Sequence, residues 1–453
     1  MTTVSTERVV ADAMTRYRPI LTAAADLLGR TATGPVPFGV PQADERLARF
    51  HEASAVALQH VGSWRGHRVS LLDLMRNPGT RTTKTFASLS IVGRAVRHIG
   101  ETGERLLLVT PTSGNKGTAL RDAVARAYAA GLATPDDLRV LTLVPAQSRG
   151  KLRDGPLSAD PALSAANPLL VAEVDRPDDV KALARSAFER LAGERTRFTP
   201  WFTLDLDNYR IADTVRACAE AELDPIRPDS APRLHVHAVS SAYGLLGYHL
   251  GVELLRRGDG SGLAAPHRHP GFLLVQQLAT PDMVLSLLKG GTGRDLLPEY
   301  RRGGAADPWR QDGEPNFPAV TDAPDERLDA TFYTGAPATS GAINELIGRY
   351  GGTGVVVSRR ECLDRYEEIA GLLAPLGHHL PQDPADIREW SLVKAFAGAM
   401  VAVERGLVAP GTDLLVHGSG FYTDATLAPL RSGGARAASS SAAVEDALLR
   451  AAR

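Results

Sequence analysis

Apolar and polar positions repeat with different periods along this chain, and the change of period divides it. At 9–28 apolar residues recur at 9, 10, 13, 14, 20, 21 and 24, the spacing of one helix face, and Gly29 closes the run. Three prolines, Pro35, Pro37 and Pro41, mark 31–41 as a loop. Residues 1–65 are thus expected to form a helical extension ahead of the main fold. From Val69 short apolar runs alternate with helical patterns. Strands are predicted at 106–109, 140–144, 169–174, 234–239, 272–276, 353–357 and 414–416. Helices are predicted at 118–130, closed by Gly131, and at 177–191. Such alternation implies an α/β architecture with mainly parallel sheets, in which ligands sit where strands run into helices. Segments 258–270 and 301–324 are Gly/Pro/Asp-rich connections, and 431–442 predicts a flexible linker before a terminal helix.

Composition narrows the partners. Lys and Arg number 51 against 52 Asp and Glu, a net charge of −1 that gives no global attraction to nucleic acid or an anionic membrane. The two cysteines, Cys218 and Cys362, stand outside any metal-ligand or redox spacing, so a reducing, cytoplasmic compartment is expected and no metal. Neither a signal-peptide pattern nor a run of about 18 apolar residues is present. Nor does a GxGxxG or GxxxxGK[ST] loop follow a strand, which counts against a nucleotide-binding enzyme.

Two segments carry chemistry. Thr110-Pro111-Thr112-Ser113-Gly114-Asn115-Lys116-Gly117 lies between a predicted strand and helix, where glycines admit close backbone approach and the free amides of a helix start can receive an anion. The same residue types also make ordinary caps and turns. Upstream, Asn77-Pro78-Gly79-Thr80-Arg81-Thr82-Thr83-Lys84-Thr85-Phe86 is a turn leading into a helix. A cation does not complement the start of a helix, so Lys84 is either a solvated surface lysine or is kept for another purpose, such as an amine that condenses with an aldehyde.

Together these segments resemble the pyridoxal-phosphate (PLP) enzymes of the tryptophan synthase β superfamily, fold type II. Members carry a lysine after an Asn-Pro turn and a Ser-Gly-Asn loop some thirty residues later, the places of Lys84 and Ser113-Gly114-Asn115. Asn208-Tyr209-Arg210-Ile211 is similar to the segment re-entering the large domain, 234–251 (LHVHAVSSAYGLLGYHLG) to the strand, phosphate loop and helix, and 272–281 (FLLVQQLATP) to the next strand. Residues 394–406, followed by 414–421 (LLVHGSGF), look like the closing helix, strand and Gly-Ser-Gly turn of threonine synthases. The resemblance covers about 71–423. It implies two lobes around PLP, with 66–85 and 206–430 as the large domain, 86–205 as a small mobile domain, and 431–453 as linker and terminal helix.

Site roles follow by position. The resemblance makes Lys84 the residue in Schiff-base linkage with PLP and the base at Cα, with Asn115 on the cofactor's 3′ oxygen. Thr112, Ser113 and Gly114 would receive the substrate α-carboxylate, and Ser240, Ser241, Ala242, Tyr243 and Gly244 the cofactor phosphate. His417 aligns with the residue beside the pyridine nitrogen, unless it turns away and leaves that contact to Ser419. Lys116 is either an added charge for an acidic substrate or a surface lysine, and Tyr243 faces the substrate or packs outward.

Departures from the threonine synthase pattern shape the expected activity. The lysine turn is one residue longer and lacks the Asp-Arg after its lysine, the phosphate loop is poor in glycine, and His417 replaces Ser or Thr. The expectation is a PLP-dependent lyase or transferase performing β- or γ-elimination or replacement on a small amino acid through an aminoacrylate-type intermediate, in specialised biosynthesis. A threonine synthase proper, or a PLP-fold protein that has lost catalysis and serves as a binding module, is the alternative. The family habit suggests a homodimer.

Overall fold

A computed structural model of the chain describes residues 7–30, 34–191, 194, 196–259, 262–329, 334–438 and 440–453. The first six residues and parts of the segments read as loops or linker at 31–41, 258–270 and 431–442 lie outside the described residues.

The short apolar runs form two sheets. The larger has seven strands in the order Arg8–Val10, Val56–Trp64, His67–Asp73, Asp413–Gly418, Arg233–Ala238, Gly271–Gln277 and Gly352–Val357. Its first three strands pair antiparallel and the rest parallel. The smaller has five parallel strands in the order Arg436–Ala438, Leu169–Ala172, Leu138–Pro145, Leu106–Pro111 and Thr199–Phe202. The expected α/β architecture with parallel-rich sheets is therefore present.

Helices cover both faces, which is why the central strands read as continuous apolar runs rather than alternating ones. In His67–Asp73 the period of two sends Leu71 into the core beneath the helix Ser391–Glu404 and Leu72 into the opposite core with Phe86 and Leu89. That helix is buried on nearly every side from Ser391 to Ala402, so its apolar stretch carries no amphipathic period. Among the described residues no helix is long and apolar enough to cross a membrane.

Two expectations about the ends need correction. The first 65 residues are not a purely helical extension, because Arg8–Val10 and Val56–Trp64 extend the large sheet. The register of Val56–Trp64 shifts between His60 and Gly62, with Gly62 at φ 137°. This bulge breaks the alternation by which a strand is recognised. The segment read as a flexible linker includes the strand Arg436–Ala438, which pairs with Leu170–Ala172 at the edge of the small sheet. Backbone hydrogen bonds hold it there, and Arg-Ala-Ala has no side-chain pattern to announce them.

Candidate active site

The carboxyl ends of the parallel strands converge on one cavity of about 410 Å³, within the range of small-molecule sites. Thr112, Ser113, Asn115 and Lys116 line it from the small sheet. Lys84, the loop Ser240-Ser241-Ala242-Tyr243-Gly244, His417 and Ser419 line it from the large one. Of the residues read from the sequence, only Gly114 is absent from the lining; it sits behind as the N-cap of the helix Asn115–Ala129.

Local chemistry holds each segment. Asn77 forms the lysine turn, its Oδ1 accepting from the Gly79 amide at 3.0 Å, while its Nδ2 donates to Asp122 at 2.9 Å and Thr85 at 3.2 Å. That turn delivers Lys84 as the first residue of the helix Lys84–Thr102, its ammonium 5.5 Å from the centre of the Tyr209 ring. The depth of the site pushes the Lys84 pKa below the ordinary lysine value; Asp213 opposes the shift and Arg216 reinforces it. In the small-sheet loop, Thr112 Oγ1 accepts from the amides of Gly114 and Gly117, each at 3.1 Å. Gly114 has φ 120°, and a Cβ there would lie 2.7 Å from Lys151 Cβ. Gly114→Ala is accordingly expected to cost about 1–3 kcal/mol of stability and to displace the loop, measurable as a lower urea midpoint; an unchanged midpoint would show the loop to be more plastic than its geometry implies.

The large-sheet loop turns through Ala242 at φ 50° into the helix Tyr243–Arg257, whose first turn no side chain caps among the described residues. Thr339 Oγ1 donates to the Ser241 carbonyl at 2.7 Å and fixes the loop from outside. Tyr243 faces the cavity and stacks on Tyr209 with ring centres 5.0 Å apart.

The cavity floor holds residues that no local signal announced. Arg216 donates through Nε to Asp213 at 2.7 Å, through Nη2 to Thr83 at 2.9 Å and through Nη1 to His417 Nδ1 at 3.2 Å. Arginine only donates, so His417 Nδ1 is the acceptor and its proton is on Nε2. That Nε2–H donates to His235 Nδ1 at 3.2 Å, and His235 Nε2–H to Glu220 at 3.1 Å. Hydrogen bonds from His235 and Tyr248 and the charge of Arg233 overcome the cost of burial and hold the Glu220 carboxyl down at about 2, an ionised end for the chain. Burial and the neighbouring histidines drive His417 well below its ordinary value, so the ring is neutral.

His235, His237 and His417 present ring nitrogens within 4.8 Å of one another, a spacing compatible with a metal ion. The hydrogen-bond chain argues against one: Nε2 of His417 carries the proton and offers no lone pair, and the His237 and His417 rings stack face to face at 3.9 Å. His417 also has both nitrogens engaged, which leaves no free one for a ligand. Ser419 Oγ, the other residue the sequence offered for that contact, lines the cavity buried and, among the described residues, without a hydrogen-bond partner.

Asn115 is engaged as well. Its Nδ2 donates to Glu389 and its Oδ1 accepts from Tyr422 at 2.6 Å, leaving one amide hydrogen for a ligand. Glu389 belongs to a buried cluster in which Lys151 Nζ lies 2.8 Å from Asp329 and 3.2 Å from Glu389. Sequence reasoning passed over Arg216, Asp213, Glu389, Lys181 and Arg185. Only the Asp213–Arg216 spacing hinted at a helical ion pair, and nothing local tied it to His417.

Comparison with solved structures identifies the fold. Threonine synthase from Brucella melitensis, solved with PLP bound, superposes with a TM-score of 0.54 at 13% identity over 96% of this chain and 89% of that one. A pyridoxal 5′-phosphate-dependent aspartate racemase gives 0.51 at 14% identity over 90% and 95%. The fold is that of the fold type II PLP enzymes. The chain belongs to the family of unknown function DUF6002, whose model matches residues 9–452. No curated protein matches it in sequence.

Proposed function

We propose that this protein is a PLP-dependent enzyme, a lyase or transferase, that eliminates or replaces a group at Cβ or Cγ of an amino acid, with the fold of its neighbours supporting the general kind of reaction. The observation that carries the reading is the meeting, in one cavity, of the depressed Lys84 amine, an uncapped helix start and the unpartnered Ser419 hydroxyl. These fit the cofactor's three handles, an aldehyde, a phosphate and a ring nitrogen.

When bound, PLP would supply a sink for the electron pair at the substrate Cα. Lys84 Nζ would hold the cofactor and carry the proton to and from Cα, a role that a lysine held below its ordinary value can perform near neutral pH. The amides at the start of Tyr243–Arg257 would take the phosphate and those at the start of Asn115–Ala129 the substrate α-carboxylate. Ser419 would pair with the ring nitrogen, and a hydroxyl there cannot protonate it. The neutral His417, locked by Arg216, cannot do so either. This arrangement favours loss of a leaving group over chemistry that stores a full negative charge on the ring. We read 86–205 as a small lobe closing over the site to exclude water, and place the protein in specialised biosynthesis as a cytoplasmic homodimer.

Purified protein titrated with PLP is expected to gain a visible absorbance band, and a screen of amino acids to find one that perturbs it while releasing a keto acid or a substituted product. Ser419→Ala should weaken PLP binding about tenfold, since the ring nitrogen is left without a partner. A wild type that stays colourless with excess PLP would overturn the proposal.

A further inference from the structure

We propose that the substrate carries a second anion on its side chain, a carboxylate or a phosphoryl group, received by Lys116, Lys181 and Arg185. This deepens the reading above and rests on it.

The lining of the cavity is unbalanced in charge. Among the described residues it includes the cations Lys84, Lys116, Lys181, Arg185 and Arg216, against one carboxylate, that of Asp213, which is committed to Arg216 in a 2.7 Å ion pair. The helix starts account for the cofactor phosphate and the substrate α-carboxylate, so the three cations on the small-sheet wall remain without a role.

Lys116 is the strongest case. It is 7% exposed, and its Nζ donates to the Thr203 carbonyl at 2.8 Å and hydroxyl at 3.2 Å, both neutral. Among the described residues it has no ion pair, although a buried ammonium without an anion is costly. Burial, with Lys84 and Lys181 nearby, brings it down to about 7. An anion arriving beside it would offset that cost. Lys181 and Arg185 are four residues apart on the helix Asp179–Arg190, so both project from one face toward the same cavity. Lys181 touches Asp178 at a half-exposed position, whereas the Arg185 guanidinium stacks 4.7 Å above Phe202 and has no ion pair among the described residues. A neutral side chain would leave the buried Lys116 ammonium without an anion.

The test measures equilibrium binding to the PLP-loaded protein by calorimetry with two matched pairs, L-aspartate against L-asparagine and O-phospho-L-serine against L-serine. The acidic member of at least one pair should bind ten times tighter or better, and the pair that shows it identifies the anion. In Lys181→Met/Arg185→Met, whose changes lie at the solvent edge of the cavity and spare the core, the ratio should collapse toward one. In Lys116→Met the acidic ligand should lose more than the neutral one. Equal affinities within both pairs would overturn the proposal, and an equal loss for neutral and acidic ligands in Lys116→Met would assign that residue to the α-carboxylate and overturn it too. A wild type that takes up no PLP overturns both readings, whereas a loaded protein indifferent to side-chain charge overturns only this one.

Discussion

Replacing Lys84 by alanine is expected to leave a folded protein that has lost the visible PLP band and slows turnover by about 10³-fold or more, the scale of removing a positioned acid–base group. The change should be tolerated by the fold. Alanine is the best helix former, Lys84 is the first residue of its helix, and a cation there opposes the helix dipole. Thermal stability should hold or rise as the desolvated amine disappears. Visible spectra, turnover and a thermal melt on the same preparation separate a chemical role from a structural one. A variant that keeps the band and the activity would remove Lys84 from the site, and Lys116, also in the cavity and held near neutrality, would become the candidate amine.

Lys151→Met is expected to be the most destabilising single change near the site, at about 3–5 kcal/mol, the loss typical of stranding a buried charge. Lys151 follows a strand of the small sheet, while Asp329 and Glu389 belong to the part of the chain that builds the large one, and both carboxylates are buried to within 1%. Removing the ammonium leaves two carboxylates with one compensating cation fewer. It also loosens Glu389, through which Asn115 is oriented. The two carboxylates raise the Lys151 pKa above the ordinary 10.5 despite burial. Its contribution is therefore complete below that value and lost only as pH rises past the folded-state pKa, so the gap between wild type and variant should stay constant through neutral pH. Urea unfolding at several pH values checks this, and a difference under about 1 kcal/mol would show that water or protonation relieves the cluster. Adding Asp329→Asn should restore part of the loss, since it removes one of the two carboxylates that the ammonium balanced.

How much was legible depends on whether a residue acts through its own segment or through distant ones. The central strands were readable because sheets covered on both faces bury every position, as Leu71 and Leu72 show. The strand Val56–Trp64 was not, since its bulge hides the alternation, and Arg436–Ala438 is held by backbone alone. At the site, Asn77, Lys84, Thr112, Ser113 and Gly114 work through turns and helix starts a few residues long, which a sequence displays directly. Arg216 gave no such signal: its partners Thr83 and His417 lie 133 and 201 residues away. His417 illustrates the limit, because the sequence put it at the cavity but left its role to be set by Arg216 and His235.

By itself the sequence determined the α/β class, the two anion-ready helix starts and the position of Lys84, because each follows from local periodicity and turn chemistry. Only the tertiary structure decided that His417 is a locked neutral ring, that the Ser419 hydroxyl has no partner among the described residues, and that Lys116, Lys181 and Arg185 face one cavity. Protonation state and charge balance are sums over neighbours in space, and those neighbours come from segments that the chain order keeps far apart.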